Sequence, residues 1–121
     1  MSPVFVVIEA DPFVRQDLSE ILQMSAEGAR VLCAEALEDA RGLMAEIAQV
    51  DLVFFGTPGA PVGVADLVEQ VRNLGGTPVF IGGPETPSAT ERMALFLSSP
   101  FTNTSVAELV AEWQNSGRIK G

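Results

Sequence analysis

Hydrophobic residues are distributed along the chain in two alternating ways. Short, nearly unbroken apolar runs take turns with segments in which apolar residues recur every three or four positions. The first run, PVFVVIE (3–9), has the unbroken character of a parallel strand covered on both faces. Asp11-Pro12 comes next; Asp is a favoured N-cap, and Pro suits the first helical position. Val14, Leu18, Ile21 and Leu22 keep helical spacing, which predicts a first helix ending near Gly28. RVLCAE (30–35) reads as a second strand, and Leu37, Ala40, Leu43, Met44 and Ile47 predict a second helix over 37–49. VDLVFF (50–55) is a third strand, followed by a helix carrying Val64, Leu67, Val68 and Val71 and closed by Gly75-Gly76.

TPVFIGG (77–83) reads as a fourth strand. PETPSATERMA (84–94) suggests a short helix capped by Thr86 with Pro87 in its first turn, although it lacks a clean apolar stripe. LFLSS (95–99) is a short fifth strand leading into Pro100-Phe101. Thr104 or Ser105 is expected to cap a last helix bearing Val106, Leu109, Val110 and Trp113. Past Trp113, QNSGRIKG reads as a fraying end or the start of a linker, with 117–121 as tail.

Strands that alternate with helices imply right-handed crossovers and a parallel sheet with helices on both faces. The expected fold is therefore α/β, a flavodoxin-like doubly wound sheet of five strands in the order 2-1-3-4-5. Residues 1–121 form one domain, with no internal repeat, linker or low-complexity tract. It either stands alone or forms the N-terminal domain of a longer protein. In this strand order the first and third strands flank the switch point, where ligands gather. The site is expected at Glu9-Ala10-Asp11, at Gly56-Thr57 and at Gly82-Gly83.

Composition narrows the function classes. Of 121 residues, 47% are hydrophobic and 19% charged, as in a chain that buries a core. The net charge is −9, from 16 acidic and 7 basic residues. A surface this acidic disfavours nucleic acid and anionic membranes, both of which select basic footprints. There is no histidine, which removes the commonest general base and metal ligand. The single cysteine, Cys33, cannot form an internal disulfide, and its setting in VLCAEAL predicts a small buried core residue. No basic region precedes the first apolar run, as a signal peptide would require, and no apolar stretch approaches bilayer length. A soluble cytoplasmic protein is expected.

Several of these pieces together resemble the receiver domain of bacterial response regulators. VFVVIEADPFVR looks like its opening strand, acidic end, Pro and helical Arg. VDLVFFG resembles its third strand, TPVFIGG its fourth, and FLSSPF its fifth with the following Pro-Phe. The resemblance runs in order over nearly the whole chain. It implies a domain that catalyses its own phosphorylation from a phosphohistidine donor. It also implies an Asp nucleophile ending the third strand and an acidic pair on the first strand that holds Mg²⁺. A Thr or Ser would end the fourth strand, and a Lys would precede the Pro after the fifth. The chemistry explains the set, since a carboxylate must attack phosphorus while cations neutralise the phosphoryl oxygens.

This sequence departs from almost every element of that set. The nucleophile position is Gly56, the second member of the acidic pair is Ala10, the hydroxyl position is Gly83 (or Gly82, with the alignment shifted by one), and the lysine position is Ser99. Glu9 and Asp11 keep their acids, and Phe96 stands where the family carries a switch aromatic. The resemblance thus implies a pseudo-receiver, a receiver fold without phosphoryl chemistry and without enzymatic activity.

Weighed singly, the remaining candidates favour ordinary roles. Glu9 and Asp11 make a poor Mg²⁺ site with Ala10 between them, and Asp11 reads better as a helix cap and Glu9 as a solvated strand end. No cofactor is expected. Thr57, Ser98 and Ser99 are hydroxyls without an adjacent base, and so poor phosphoacceptors. The loops GTPGAP and GGPE match no phosphate-binding pattern and read as turns. Phe96, Phe101 and Trp113 are candidates for an interaction face, because the family uses the region from the fourth strand to the last helix for dimerisation and partner contact. The expected function is signalling through other proteins or a second copy of itself, presented by the face from Phe96 to Trp113 or by the first helix. The alternative is a sensor holding a small ligand or anion in the vacated pocket.

Overall fold

The computed structural model describes residues 2–56, 64–82, 95–97 and 100–120. The expected helix over 84–94, the bodies of both glycine-rich loops, and Thr57, Gly83, Ser98 and Ser99 lie outside them. Five parallel strands form one sheet in the order β2-β1-β3-β4-β5, the doubly wound order anticipated from the alternation. They are β1 (Val4–Ile8), β2 (Arg30–Ala34), β3 (Leu52–Phe55), β4 (Thr77–Ile81) and β5 (Leu95–Leu97). The described helices are α1 (Pro12–Ser25), α2 (Leu37–Ala45), α3 (Val64–Asn73) and α4 (Asn103–Lys120).

The apolar runs are unbroken because the central strands are buried on both sides. Phe5, Val6, Val7 and Ile8 are fully buried, as are Leu52, Val53 and Phe54. Successive side chains alternate between two cores. Phe5, Val7, Leu52, Phe54 and Val79 pack with Leu18, Leu22, Val106 and Val110 of α1 and α4. Val6, Ile8, Val53, Phe55 and Phe80 pack with Met44 of α2 and with Leu67, Val68 and Val71 of α3. Trp113 meets Phe5 edge to face at 5.6 Å between ring centres, and Phe5 in turn meets Phe54 at 6.4 Å. Each fully buried large side chain stabilises the fold by about 1.5–3 kcal/mol relative to exposure.

Several local features follow from backbone chemistry. The Asp11 carboxylate accepts from the amides of Phe13 and Val14 at 2.9 and 3.4 Å, the helix cap the sequence predicts. Asp51 clamps the start of the sheet, accepting from the Val4 amide at 2.7 Å while its own amide donates to the Val4 carbonyl. Pro78 sits in an inner strand without breaking a ladder. Thr77 donates to the Asp51 carbonyl just before β3 and Gly82 to the Leu97 carbonyl of β5, so alternation turns the missing N–H of Pro78 towards β5. That strand pairs with β4 only from Val79 on. Gly75 takes a left-handed φ of 83° in the turn that closes α3.

Three expectations are corrected. Cys33 is exposed rather than buried, because β2 is an edge strand with one neighbour, and its register partner is Val7 of β1. The last helix is capped by Thr102, not by Thr104 or Ser105. The Thr102 hydroxyl accepts from the Ser105 amide at 3.0 Å, and the Ser105 hydroxyl accepts from the Thr102 amide at 2.8 Å. This reciprocal pair is a capping box with Ser in place of the usual Glu. Finally, α4 continues through Lys120, past the point after Trp113 where fraying is expected.

Thr102→Ala is expected to cost about 1 kcal/mol, whereas Thr104→Ala changes stability by less than about 0.5 kcal/mol. Urea unfolding of both variants separates the observed cap from the one suggested by sequence.

Candidate functional site

Parallel strands place their carboxyl ends along one edge, and the chain leaves each of them as a loop. At that edge an open cleft of about 710 Å³ is lined by Glu9, Asp11, Phe13, Val14, Asp17, Gly56, Ile81, Gly82, Pro100 and Phe101. The structure therefore brings together the ends of β1, β3 and β4, as the switch-point argument requires. Ala10 is exposed between the two acids.

Glu9 ties this end together. Its amide donates to the Ala34 carbonyl at 3.0 Å, extending the pairing of β1 with β2. Its own carbonyl accepts from Arg15 Nη1 at 2.8 Å, and Arg15 Nη2 lies 3.8 Å from Glu35 Oε1. One guanidinium thus pins the first turns of α1 to the exits of β1 and β2. The half-buried Glu9 carboxylate lines the cleft and is held by its own chain. Its Oε2 accepts from the Asp11 amide at 3.0 Å, and its Oε1 folds over Gly56.

Gly56 continues the sheet, donating to the Ile8 carbonyl at 2.8 Å. A Cβ built there would collide with Glu9 Oε1, and would lie 3.1 Å from Glu9 Cδ and 3.0 Å from the Ile8 carbonyl. The end of β3 therefore offers no side chain, and the space beside it is taken by a carboxylate from the neighbouring strand.

This donor set does not fit Mg²⁺. One oxygen of Glu9 and one of Asp11 are committed to backbone amides, Gly56 supplies none, and Mg²⁺ demands near-octahedral oxygen geometry. Among the described residues, no group of three or more His, Cys, Asp or Glu side chains could hold a metal ion. Among the described residues, the cleft lining holds three carboxylates and no basic residue, which disfavours an anion.

The three aromatics proposed as one interaction face separate in the fold. Phe96 is 42% exposed and lies beside Phe80, 6.1 Å away, on the side of the sheet covered by α2 and α3. Half-buried Phe101 lines the cleft, and Trp113 packs on the opposite core against Phe5. Strand alternation places Leu95 and Leu97 towards α4 and Phe96 away from it. A separate groove between β5 and α4 is lined by Leu95, Phe96, Leu97, Ser105, Glu108, Leu109 and Glu112.

Phe13 and Asp17 were not singled out by sequence, and Arg15 entered only as the helical Arg of the resemblance. A signal for Phe13 was present, since it falls off the buried stripe of Leu18, Ile21 and Leu22, where an amphipathic helix carries polar residues. Asp17 lies one turn further on the same face.

Comparison with known proteins adds the fold family. No protein-family model matches the sequence, and no curated protein matches it. Solved structures do. A CheY-like response regulator receiver domain protein from Methanospirillum hungatei superimposes with a TM-score of 0.77 at 14% identity, covering 100% of both chains. The receiver domain of the hybrid histidine kinase CckA gives 0.70 at 23% identity, covering 91% of this chain and 97% of that one. HP1043, an orphan response regulator of H. pylori, gives 0.66 at 20% identity, covering 94% and 95%. The chain has the CheY-like receiver fold.

Gly56→Ala is expected to be less favourable in the native background than in a Glu9→Ala background, by about 0.5–1 kcal/mol. The unfolded-state gain of replacing Gly is common to both backgrounds and cancels. A double-mutant cycle by urea denaturation measures this coupling.

Proposed function

We propose that this chain is a receiver-type signalling domain that works through protein contact and carries no phosphoryl group at the end of its third strand. The observation that carries this reading is Gly56. Acyl-phosphate formation needs a carboxylate oxygen to bond phosphorus as the donor's P–N bond breaks, and Gly56 has no side chain to supply one. The neighbouring Glu9 carboxylate fills that place but is bonded to the Asp11 amide. With Ala10 at the second acidic position, charge neutralisation of a phosphoryl group is also missing. In this reading the domain is not an enzyme, uses neither Mg²⁺ nor a cofactor, and acts on other signalling proteins or on a second copy of itself. No helix among the described residues is long and apolar enough to cross a membrane.

The open cleft supports a second reading, a small-ligand sensor. Its three carboxylates beside Val14, Ile81 and Phe101 favour a ligand with a cationic or neutral head over an anion.

Acetyl phosphate or beryllofluoride with Mg²⁺ is expected to leave the amide NMR spectrum unchanged around Glu9 and Gly56. Saturable shifts there would overturn the pseudo-receiver reading. Inorganic phosphate is expected to leave the Tm unchanged. A ligand that does occupy the cleft would add about 2.7 kcal/mol at a hundred times its Kd.

A further inference from the structure

The two edges of the sheet differ. β5 is three residues long, whereas β2 runs for five, in continuous register with β1 and with neither a proline nor a bulge. An edge without such devices is a ready template for another strand. The Arg30 amide donates to the Pro3 carbonyl and the Ala34 carbonyl accepts from the Glu9 amide, so the even-numbered residues of β2 bond towards β1. By alternation, Val31 and Cys33 turn their N–H and C=O groups to the open edge, and among the described residues no strand takes them up. Charges of both signs flank this edge. Arg30, at the start of the strand, is exposed and forms no ion pair among the described residues. Just past the other end, α2 carries Glu38 and Asp39 in its first turn. On α1, at about 100° per residue, Arg15, Ser19 and Gln23 form the flank nearest β2, the side from which Arg15 reaches Glu35. The acidic strip of α1, with Asp17 and Glu20 between exposed Phe13 and Met24, is turned away from that flank and towards the cleft.

We propose that β2 pairs antiparallel with β2 of a second copy, joining two five-stranded sheets across a two-fold axis. The pairing names one occupant within the contact-signalling reading and rests on that reading. Antiparallel pairing sets outward-bonding residues opposite one another. Centred on Cys33, the overlap runs from Arg30 to Ala36. Centred on Leu32, it would run onto Ala29, whose amide is already bonded to the Ala26 carbonyl. In the Cys33 register, Cys33 meets Cys33 of the second copy, Val31 meets Glu35, Leu32 meets Ala34, and Arg30 meets Ala36. Arg30 of one copy therefore lies beside Glu38 and Asp39 of the other, and symmetry makes this contact twice. No like charges stand directly opposite along the ladder, and the α1 flanks brought together carry no unpaired acid. A net charge of −9 opposes self-association over most of the surface, but at this edge a basic residue of each copy meets acids of its mate. Charge complementarity thus selects a second copy. The half-buried Leu32, Leu43 and Ile47, in the groove beside Arg30, are covered in the same step.

Sedimentation of the whole chain is expected to show a dimer fraction that rises with concentration, and a short bis-maleimide is expected to link that dimer through Cys33, the single cysteine. Arg30→Glu is expected to weaken dimerisation at least about tenfold, with unchanged circular dichroism. Adding Glu38→Lys and Asp39→Lys to that variant restores the dimer, because the charges are then exchanged. Phe96→Lys, at the opposite edge, leaves dimerisation unchanged. Indifference to Arg30→Glu, loss of the dimer through Phe96→Lys, or a dimer that the bis-maleimide does not link would overturn the proposal. A monomer at every concentration up to about 1 mM would overturn the pairing while leaving contact with other proteins standing. A response to beryllofluoride would instead remove the reading on which the pairing rests.

Discussion

Burial of β1 on both faces is the constraint on which this structure depends. Its residues from Phe5 to Ile8 are fully buried, so the strand needs a helix layer on each side and a strand on each edge. A parallel sheet meets that need only through helical crossovers, and right-handed crossovers then put α1 and α4 on one face and α2 and α3 on the other. The Asp51 clamp at one end of β1 and the Arg15 bond to the Glu9 carbonyl at the other fix where the strand begins and ends. The cleft follows from this arrangement, because the adjacent strands β1 and β3 lead from their carboxyl ends to helices in opposite layers, α1 and α3.

At that cleft the fold sets Glu9, Asp11 and Gly56 side by side. An acid at the end of β1 would be a metal ligand in a site with a carboxylate opposite. Here Gly56 leaves room, and the side chain turns to the Asp11 amide and covers the glycine. The acidic character of the cleft survives, but it is organised by backbone amides rather than by a cation. The cleft is continuous with the acidic strip along α1, because Phe13 and Asp17 belong to both.

Much of the fold was legible in the sequence. The unbroken runs at 4–8 and 52–55, the Asp11-Pro12 start and the Gly75-Gly76 stop each carry a local physical cause. Cys33 was misread because an apolar run looks the same at a sheet edge as at its centre, and strand order alone distinguishes them. The cap of α4 was displaced to Thr104 or Ser105 because TNTS offers three hydroxyls in four residues. Which of them closes a reciprocal bond depends on where the backbone turns. The aromatic trio was grouped through the family resemblance, whereas the alternation of β5 turns Phe96 to one face of the sheet and Phe101 and Trp113 pack on the other.

By itself the sequence determined the layer pattern, the strand order expected of it, and the absence of a side chain at Gly56, because periodicity and residue identity are local properties. Only the tertiary structure decided that Glu9 covers Gly56, that Arg15 turns inwards, and that Phe13 and Met24 share an uncovered acidic strip. Those outcomes depend on distances between residues far apart in the chain or on which face of a helix the core leaves open, and no local pattern contains them.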